Sequence, residues 1–259
     1  MFFPGDQSWL NQAMRWIYLS PHLDDAVFSA GGLIYEQTRA GIPVEIWTLM
    51  CGYPPDPDEE VSPFAELLHS LWGASSAREA NQIRRAEDRR AAAILGAEVV
   101  HFDFWDCIYR RGADADWLYS DVFLPPHPAD AGLPARIAEA VRERLHPDDV
   151  LVCQLALGSH VDHVLVRRGA EQLGRTLLYD IDVPYIFYHS EKLAQTLSEM
   201  EETRGLITET GLEHWQLASL EYRSQLATLR EAFDTPEKVR RSLHAYWSER
   251  EGIRLLQVG

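Results

Sequence analysis

Cysteine is scarce in this 259-residue chain: there are three, Cys51, Cys107 and Cys153, with no CxxC spacing among them. An odd, scattered set excludes a disulfide framework and suits a reducing compartment, each thiol being expected in buried, apolar surroundings. Long hydrophobic runs are missing too. None approaches the ~18 apolar residues that span a bilayer, and Met1-Phe2-Phe3-Pro4-Gly5-Asp6 lacks the basic and apolar stretches of a signal peptide. The chain therefore reads as cytoplasmic and soluble. Positive charge is under-represented: 24 Lys and Arg face 40 Asp and Glu, a formal net charge of −16. That balance repels phosphate backbones and anionic lipid, so neither nucleic acid nor a membrane is an expected partner. The densest basic run, Arg84, Arg85, Arg89 and Arg90, is interleaved with Glu87 and Asp88. No period of about 20–50 residues recurs, which excludes solenoids and propellers.

What is present is ordinary globular composition, 46% hydrophobic and 25% charged, in a length that suits one large α/β domain or two small ones. Short β-branched and aromatic runs alternate with longer helical stretches. Strands are expected at Trp16–Leu19, Val44–Leu49, Val99–Phe102 and Val150–Cys153; helices at about Asp25–Ala40, Ser76–Leu95, Pro134–Leu145 and Val164–Leu178. Gly96 stands where helices commonly stop. Strand–helix–strand repetition with buried-looking strands implies an α/β fold: a Rossmann-like, doubly wound, mostly parallel sheet with helices on both faces. Beyond Tyr188 the pattern turns mostly helical. With no Gly/Pro/Ser-rich linker, the expectation is a single domain over 1–259, its core about 14–190 and a helical C-terminal portion about 191–259. Two long loops, 52–64 and 107–128, follow strands. They are candidate walls of a cleft at the carboxyl edge of the sheet, where open α/β folds bind ligands.

Two clusters carry chemistry. After the first strand comes Ser20-Pro21-His22-Leu23-Asp24-Asp25; after the fourth comes Gly158-Ser159-His160-Val161-Asp162-His163. His22 and Asp25, three apart in a first helical turn, can point to one side and grip one ion, with Asp24 aimed beside it. His160 and His163 share a face in the same way. Alone, either cluster has a plain reading: acids favoured by a helix N-terminus, or a chance pairing of histidines. Together, on strands whose carboxyl ends can adjoin, they have the composition of a hydrolytic metal site, with protein ligands leaving one position open for water. His146-Pro147-Asp148-Asp149 looks like a further copy, but it precedes the fourth strand and falls at the opposite edge; it reads as a helix stop and turn.

With both clusters in hand, the chain resembles the PIG-L/LmbE-like family of zinc-dependent de-N-acetylases, whose pattern is His-Pro-Asp-Asp after the first strand and His-x-Asp-His after a later one. Further similarities are Arg84-Arg85-Ala86-Glu87 followed by Leu95-Gly96, the strand end Phe102-Asp103-Phe104-Trp105-Asp106, and Tyr222-Arg223-Ser224-Gln225. The resemblance implies His22, Asp25 and His163 as Zn2+ ligands, Asp24 as general base, and His160 as oxyanion stabiliser and general acid held by Asp162. It also implies Arg84 and Asp106 as sugar contacts. Fe2+ or Co2+ accept the same ligands. The implied reaction removes an N-acetyl group from an N-acetylglucosamine-type sugar or its conjugate, so the partner is an N-acetylated small molecule; a homo-oligomer is compatible. The departures are Leu23 for proline, Ala26 for an acid, and Gly158 where some members carry a tyrosine near the oxyanion. Trp105, Tyr109, Trp117 and Tyr119 are candidates for stacking on a sugar or for lid packing, and His101 and His189 are expected to be structural. An amidase for a non-sugar or thiol-conjugate amide, and a non-catalytic sugar- or nucleotide-binding module, are the competing readings. A dinucleotide-dependent oxidoreductase is disfavoured, because the first βα turn lacks GxGxxG and carries two acids.

Overall fold

A computed structural model describes residues 14–54, 60–191, 193, 200–226, 228–229, 233–249 and 252–258. The signal-peptide expectation on Met1–Asp6, residues 55–59 of the first long loop and parts of the 191–259 segment lie outside the described residues. Seven strands form one sheet: Trp16–Ser20 (β1), Val44–Thr48 (β2), Glu98–His101 (β3), Val150–Gln154 (β4), Leu177–Asp180 (β5), Met200–Leu206 (β6) and Gly252–Val258 (β7). Their order is β3-β2-β1-β4-β5-β7-β6. The first five are parallel, and β7 joins antiparallel to both β5 and β6. The doubly wound, mostly parallel expectation is met, with its switch point between β1 and β4.

The described helices are Asp25–Arg39 (α1), Pro63–Trp72 (α2), Ala77–Leu95 (α3), Leu133–Arg142 (α4), Val161–Glu171 (α5), Glu209–Ser219 (α6), Arg223–Leu226 (α7) and Pro236–Ser248 (α8). Right-handed crossovers put α1 and α3, which step outward from β1, on one face and α5, which steps the other way, on the opposite face. α1 packs on α3 and α6, and α4 packs on α5. Sequence explains the ends of α3: the Ser76 hydroxyl accepts the Glu79 N–H at 3.2 Å, and Gly96 closes it in the left-handed region at φ 72°. No described helix is long and apolar enough to cross a membrane.

Three expectations are corrected. The helix read as Val164–Leu178 starts at Val161 and ends at Glu171, and Leu177–Asp180 is β5. A strand buried on both faces has no alternation to betray it, so it blends into a neighbouring helical pattern. The end of the loop 52–64 opens α2, capped by Ser62 with Pro63 at its first turn. The C-terminal portion is not only helical, because it contributes β6 and β7 to the sheet. All three cysteines are free and buried, as expected.

The His146–Asp149 string lies at the amino edge, away from β1's carboxyl end. Asp149 accepts the His146 N–H at 2.7 Å and a two-pronged contact from Arg15, Nε at 3.0 and Nη2 at 2.6 Å, while Arg15 Nη1 reaches Glu45 at 2.7 Å. It clamps the starts of β1, β2 and β4 and has a structural task. Asp149→Ala is expected to cost about 1.5–3 kcal/mol, the range for charge-assisted hydrogen bonds. A lowered urea midpoint with unchanged metal content would check this.

Candidate metal centre

Both clusters sit where β1 and β4 end side by side. After β1 the turn folds on itself: Ser20 Oγ donates to His22 O at 2.6 Å and accepts Ala26 N–H at 3.0 Å, and His22 N–H donates to Asp25 Oδ2 at 2.7 Å. After β4 the chain passes through Ser159 at φ 61°, a left-handed conformation rare for a non-glycine residue. That bend delivers His160 as the cap of α5, its Nδ1 accepting the Asp162 N–H at 3.2 Å. The N-termini of α1 and α5 thus both face the site, where their dipoles favour carboxylates.

Asp25 Oδ2 is the vertex of the arrangement. His22 Nδ1 lies 3.2 Å from it and His163 Nε2 lies 3.3 Å from it. Ligands bound tetrahedrally at about 2.0–2.1 Å are separated by about 3.3 Å, so both spacings suit a shared four-coordinate dication. Each histidine also has a carboxylate behind it. His22 Nε2 lies 3.1 Å from Asp162 Oδ2, and His163 Nδ1 lies 3.3 Å from Asp182 Oδ1. Carboxylate–histidine pairs of this kind fix ring orientation and tautomer at metal sites. Ring nitrogens of His22, His160 and His163 also come within 4.8 Å of one another, as do donor atoms of His22, Asp106 and Asp162 and of Cys107, His160 and Asp162. Asp162 is already committed, accepting Arg110 Nη2 at 2.6 Å and the Cys107 N–H at 2.9 Å. The two groups that draw on Asp162 are therefore the poorer seats, which leaves His22, His160 and His163 with Asp25 beside them.

The electrostatics agree with the donor set. Burial opposes charge on His22, yet Asp106, Asp162 and Asp25 outweigh it and hold its pKa well above the usual imidazole value. Burial is likewise outweighed at His163, where Asp25 and Asp182 raise the pKa to about 9. The Asp25 carboxyl, despite burial, is held well below the usual range by His163 and His22. A pocket that draws two imidazoles toward the cationic form also welcomes a dication. Asp24 behaves oppositely: burial and the neighbouring Asp25 push it up to about 7 against the pull of Arg84. His160 is pushed well below its ordinary value by burial and by His22 and His163, which favours the neutral ring.

A cavity of about 220 Å³ opens over these groups, lined at its floor by His22, Asp24, Asp25, His160 and His163. Arg84 and Asp106 line it as well. The Arg84 guanidinium stacks 4.7 Å over Trp72 and stays 3.9 Å from Asp24 and 3.7 Å from Asp106, while its Nε has no hydrogen-bond partner among the described residues. Asp106 also caps the turn at Cys107–Tyr109 through Ile108 N–H. All eight residues singled out in the two clusters and between them are thus brought together or sit one bond behind the floor. The geometry differs from expectation at Asp162: its carboxylate holds His22, and only its backbone N–H touches the His160 ring.

Other candidates fall elsewhere. Trp105, Tyr109, Trp117 and Tyr119 do not line the cavity; Tyr109 bonds His69, Tyr119 bonds Asp130, and Trp117 stacks on Arg111. His101 is structural, 2.7 Å from Asp88, whereas His189 lines the cavity. A side chain at Gly158 would run into the ring of Tyr185, another lining residue, so an aromatic reaches that spot from a different turn. The Tyr222–Gln225 element docks on α3: Asp88 accepts the Tyr222 hydroxyl at 2.7 Å, and Glu87 accepts the Ser224 N–H at 2.9 and hydroxyl at 2.6 Å. Gln225 is thereby delivered to the cavity wall.

Sequence reasoning missed Asp182, Arg110 and Tyr185. The first had a usable signal, an acid two residues past a strand at the ligand edge; the other two lie in irregular segments whose direction no periodicity encodes. Asp182→Asn is expected to weaken metal binding by about 10- to 100-fold, as loss of an orienting carboxylate does. Competition against a chelator measures this, and an unchanged affinity would refute the role.

Comparison with known proteins bears on the family and the fold. The family model "PIG-L: GlcNAc-PI de-N-acetylase" matches residues 17–173, a span that contains both clusters and leaves out the Tyr222–Gln225 element. A 2'-N-acetylparomamine deacetylase of Streptomyces fradiae is 31% identical over 202 residues, 74% of this chain and 64% of that protein. A protein of the same description from Niallia circulans is 25% identical over 241 residues, 85% of this chain and 84% of its own. The chain thus spans just under two thirds of the first relative's length. In fold it is similar to the zinc-inhibited form of teicoplanin deacetylase Orf2, with TM-score 0.80, 24% identity, and coverage of 95% of this chain and 98% of that one. On the strength of the family match, which takes in more than half its length, the chain belongs to the PIG-L family of GlcNAc-PI de-N-acetylases.

Proposed function

We propose that this protein is a zinc-dependent hydrolase that removes the N-acetyl group from an N-acetylglucosamine-type amino sugar or its conjugate. The observation that carries the reading is Asp25 Oδ2 between His22 Nδ1 and His163 Nε2, each imidazole backed by a carboxylate. His22, Asp25 and His163 would hold the ion, with Asp162 and Asp182 orienting the two rings. When bound, zinc would lower the pKa of a water toward ~7 and polarise the acetamide carbonyl. The descriptions of the relatives as N-acetylparomamine deacetylases support an acetamide on an amino sugar as the bond cleaved.

The chain's own groups then divide the work. Asp24, beside the vertex and raised to about 7, is matched to taking the proton of the attacking water near neutral pH. Because His160 Nδ1 accepts the Asp162 N–H, the neutral ring carries its proton on Nε2 and acts as a hydrogen-bond donor to the carbonyl oxygen as that oxygen gains charge. This modifies the imidazolium role that the family resemblance implies. A fixed donor of this type is worth about 2.7–4 kcal/mol in the transition state. The proton gathered by Asp24 passes to the nitrogen as the C–N bond breaks, giving acetate and a free amine. Arg84, loosely paired and with an unpartnered Nε, is placed to donate to sugar hydroxyls, and Asp106 to accept from them.

The test is an assay of zinc-loaded protein on N-acetylated amino sugars, free and conjugated, following acetate and new primary amine. Metal-dependent release of both is expected; absence of release from every member overturns the reading. Asp24→Ala is expected to lower kcat by about 10²- to 10⁴-fold, the usual worth of a general base, while zinc content by elemental analysis stays at the wild-type level. Near-normal turnover would remove Asp24 from the base role.

A further inference from the structure

The sheet ends in a long strand that has no further strand beside it among the described residues. β6 runs for seven residues, Met200–Leu206, and is the last strand in the order. Its inner side pairs with β7, so a row of its N–H and C=O groups points away from the sheet. Natural proteins blunt such an edge with shortness, a bulge, proline or lysine. The opposite edge, β3, follows that rule with only four residues. β6 has none of these devices: Met-Glu-Glu-Thr-Arg-Gly-Leu holds no proline or lysine, and its register against β7 is unbroken. Its two faces differ. A Cβ on Gly205 would meet Leu33 of α1 at 2.9 Å, so Glu201, Thr203 and Gly205 face α1. Met200, Glu202, Arg204 and Leu206 take the other face. There Leu206 and Val258, the β7 neighbour of Met200, are both more than half exposed.

We infer that β6 is a docking edge for a second copy of this chain, the two β6 strands pairing antiparallel about a two-fold axis at Thr203. The strand's own pattern selects both the partner and the register. With Thr203 opposite Thr203, Met200 falls against Leu206 and Glu202 against Arg204, and symmetry makes each pair twice. An apolar pair at each end and an opposite-charge pair on each side of the axis are the combinations that stabilise antiparallel ladders. On the face toward α1, Glu201 meets Gly205, which leaves that carboxylate room to reach water. Moving the axis by one residue puts Glu202 opposite Glu202 or Arg204 opposite Arg204. A parallel, in-register pairing sets every charge against its like. Within one chain Arg204 Nε and Glu202 Oε1 lie 3.6 Å apart, with side chains 59% and 32% exposed, so both heads are at the surface and within reach of a partner strand. The pairing would add about six to eight backbone hydrogen bonds and join two sheets into one. It would leave both clefts open, because β5 and β7 stand between β6 and the carboxyl ends of β1 and β4. The inference is independent of the deacetylase reading.

The test is sedimentation velocity on the full chain over a concentration series, where a dimer is expected. Glu202→Arg and Arg204→Glu each set like charges opposite one another at both symmetry-related positions. Each should weaken dimerisation by about tenfold or more, with circular dichroism and metal content unchanged. An equimolar mixture of the two variants pairs Arg with Glu at every position and should recover the dimer as a one-to-one heterodimer. Rescue in trans separates the docking edge from the Glu202–Arg204 contact inside one chain, which mixing does not restore. Thr203→Cys should form an intermolecular disulfide under mild oxidation, the three native thiols being buried; Glu201→Cys, opposite Gly205 of the second copy, should not. A monomer at every concentration, a dimer indifferent to both reversals, or a mixture of folded variants that stays monomeric overturns the inference. Should either reversal fail to fold, the Thr203→Cys cross-link decides: its formation upholds the docking edge and its absence overturns it.

Discussion

Carboxylates packed at one end of a parallel sheet can stay ionised only if positive charge is packed with them. Asp24, Asp25, Asp106, Asp162 and Asp182 are all buried at the carboxyl edge, where an isolated charge would carry a penalty of many kcal/mol. Most of the local architecture answers that constraint. Arg110 is spent on Asp162, 2.6 Å away, and lies 3.0 Å from Asp130, although the direction of its Nε–H does not make a hydrogen bond there. Arg84 stands loosely between Asp24 and Asp106. Burial is outweighed at both histidines, so they are pulled toward the cationic state, His22 chiefly by Asp106 and Asp162 and His163 chiefly by Asp25. The Asp25 oxygen between them is where the proposed dication would sit, with His160 and Asp24 beside it.

This constraint also explains part of the composition. The net charge of −16 excludes polyanionic partners as a bulk property, but the carboxylates just named are not surface charge. They are buried at the carboxyl edge, where the proposed reaction would use them as ligand, orienting group and base. Of the others, Glu87, Asp88, Asp149 and Asp180 are also buried, while exposed acids such as Glu98 and Asp103 are solvated surface.

Much of this was readable in the chain. β1, β2 and β4 are short runs of large apolar residues, and each is followed by the residues that matter, so both the sheet and its ligand edge could be placed. His160 and His163 sit three apart at the start of α5, as the spacing predicts, whereas His22 lies outside the expected helical turn, in the bend before α1 begins at Asp25, and reaches Asp25 through that bend. What stayed hidden is what depends on non-local direction. Asp162 lies on the first turn of α5, yet its carboxylate turns from the adjacent His160 to His22, 140 residues earlier, because Arg110 and the Cys107 N–H hold it there. β6 was concealed by its composition, Met-Glu-Glu-Thr-Arg-Gly-Leu, which carries no apolar alternation and pairs only with β7. α2 was legible in hindsight through Ser62-Pro63, but the proline-rich stretch before it drew the boundary too late.

The docking of Tyr222 and Ser224 on α3 has a further bearing on how the molecule comes into being. Their partners, Asp88 and Glu87, lie 134 and 137 residues earlier. The parallel strands and the proposed ion ligands all precede residue 181 in the chain, but one wall of the cleft, Gln225, Thr228 and Leu229, emerges only afterwards. Until then Asp88 and Glu87 are carboxylates without those hydroxyl partners, and the cleft stands open on that side. Assembly is therefore vectorial: the reactive floor is made first and its enclosure last, and the closing contacts are of high contact order, the kind that form slowly.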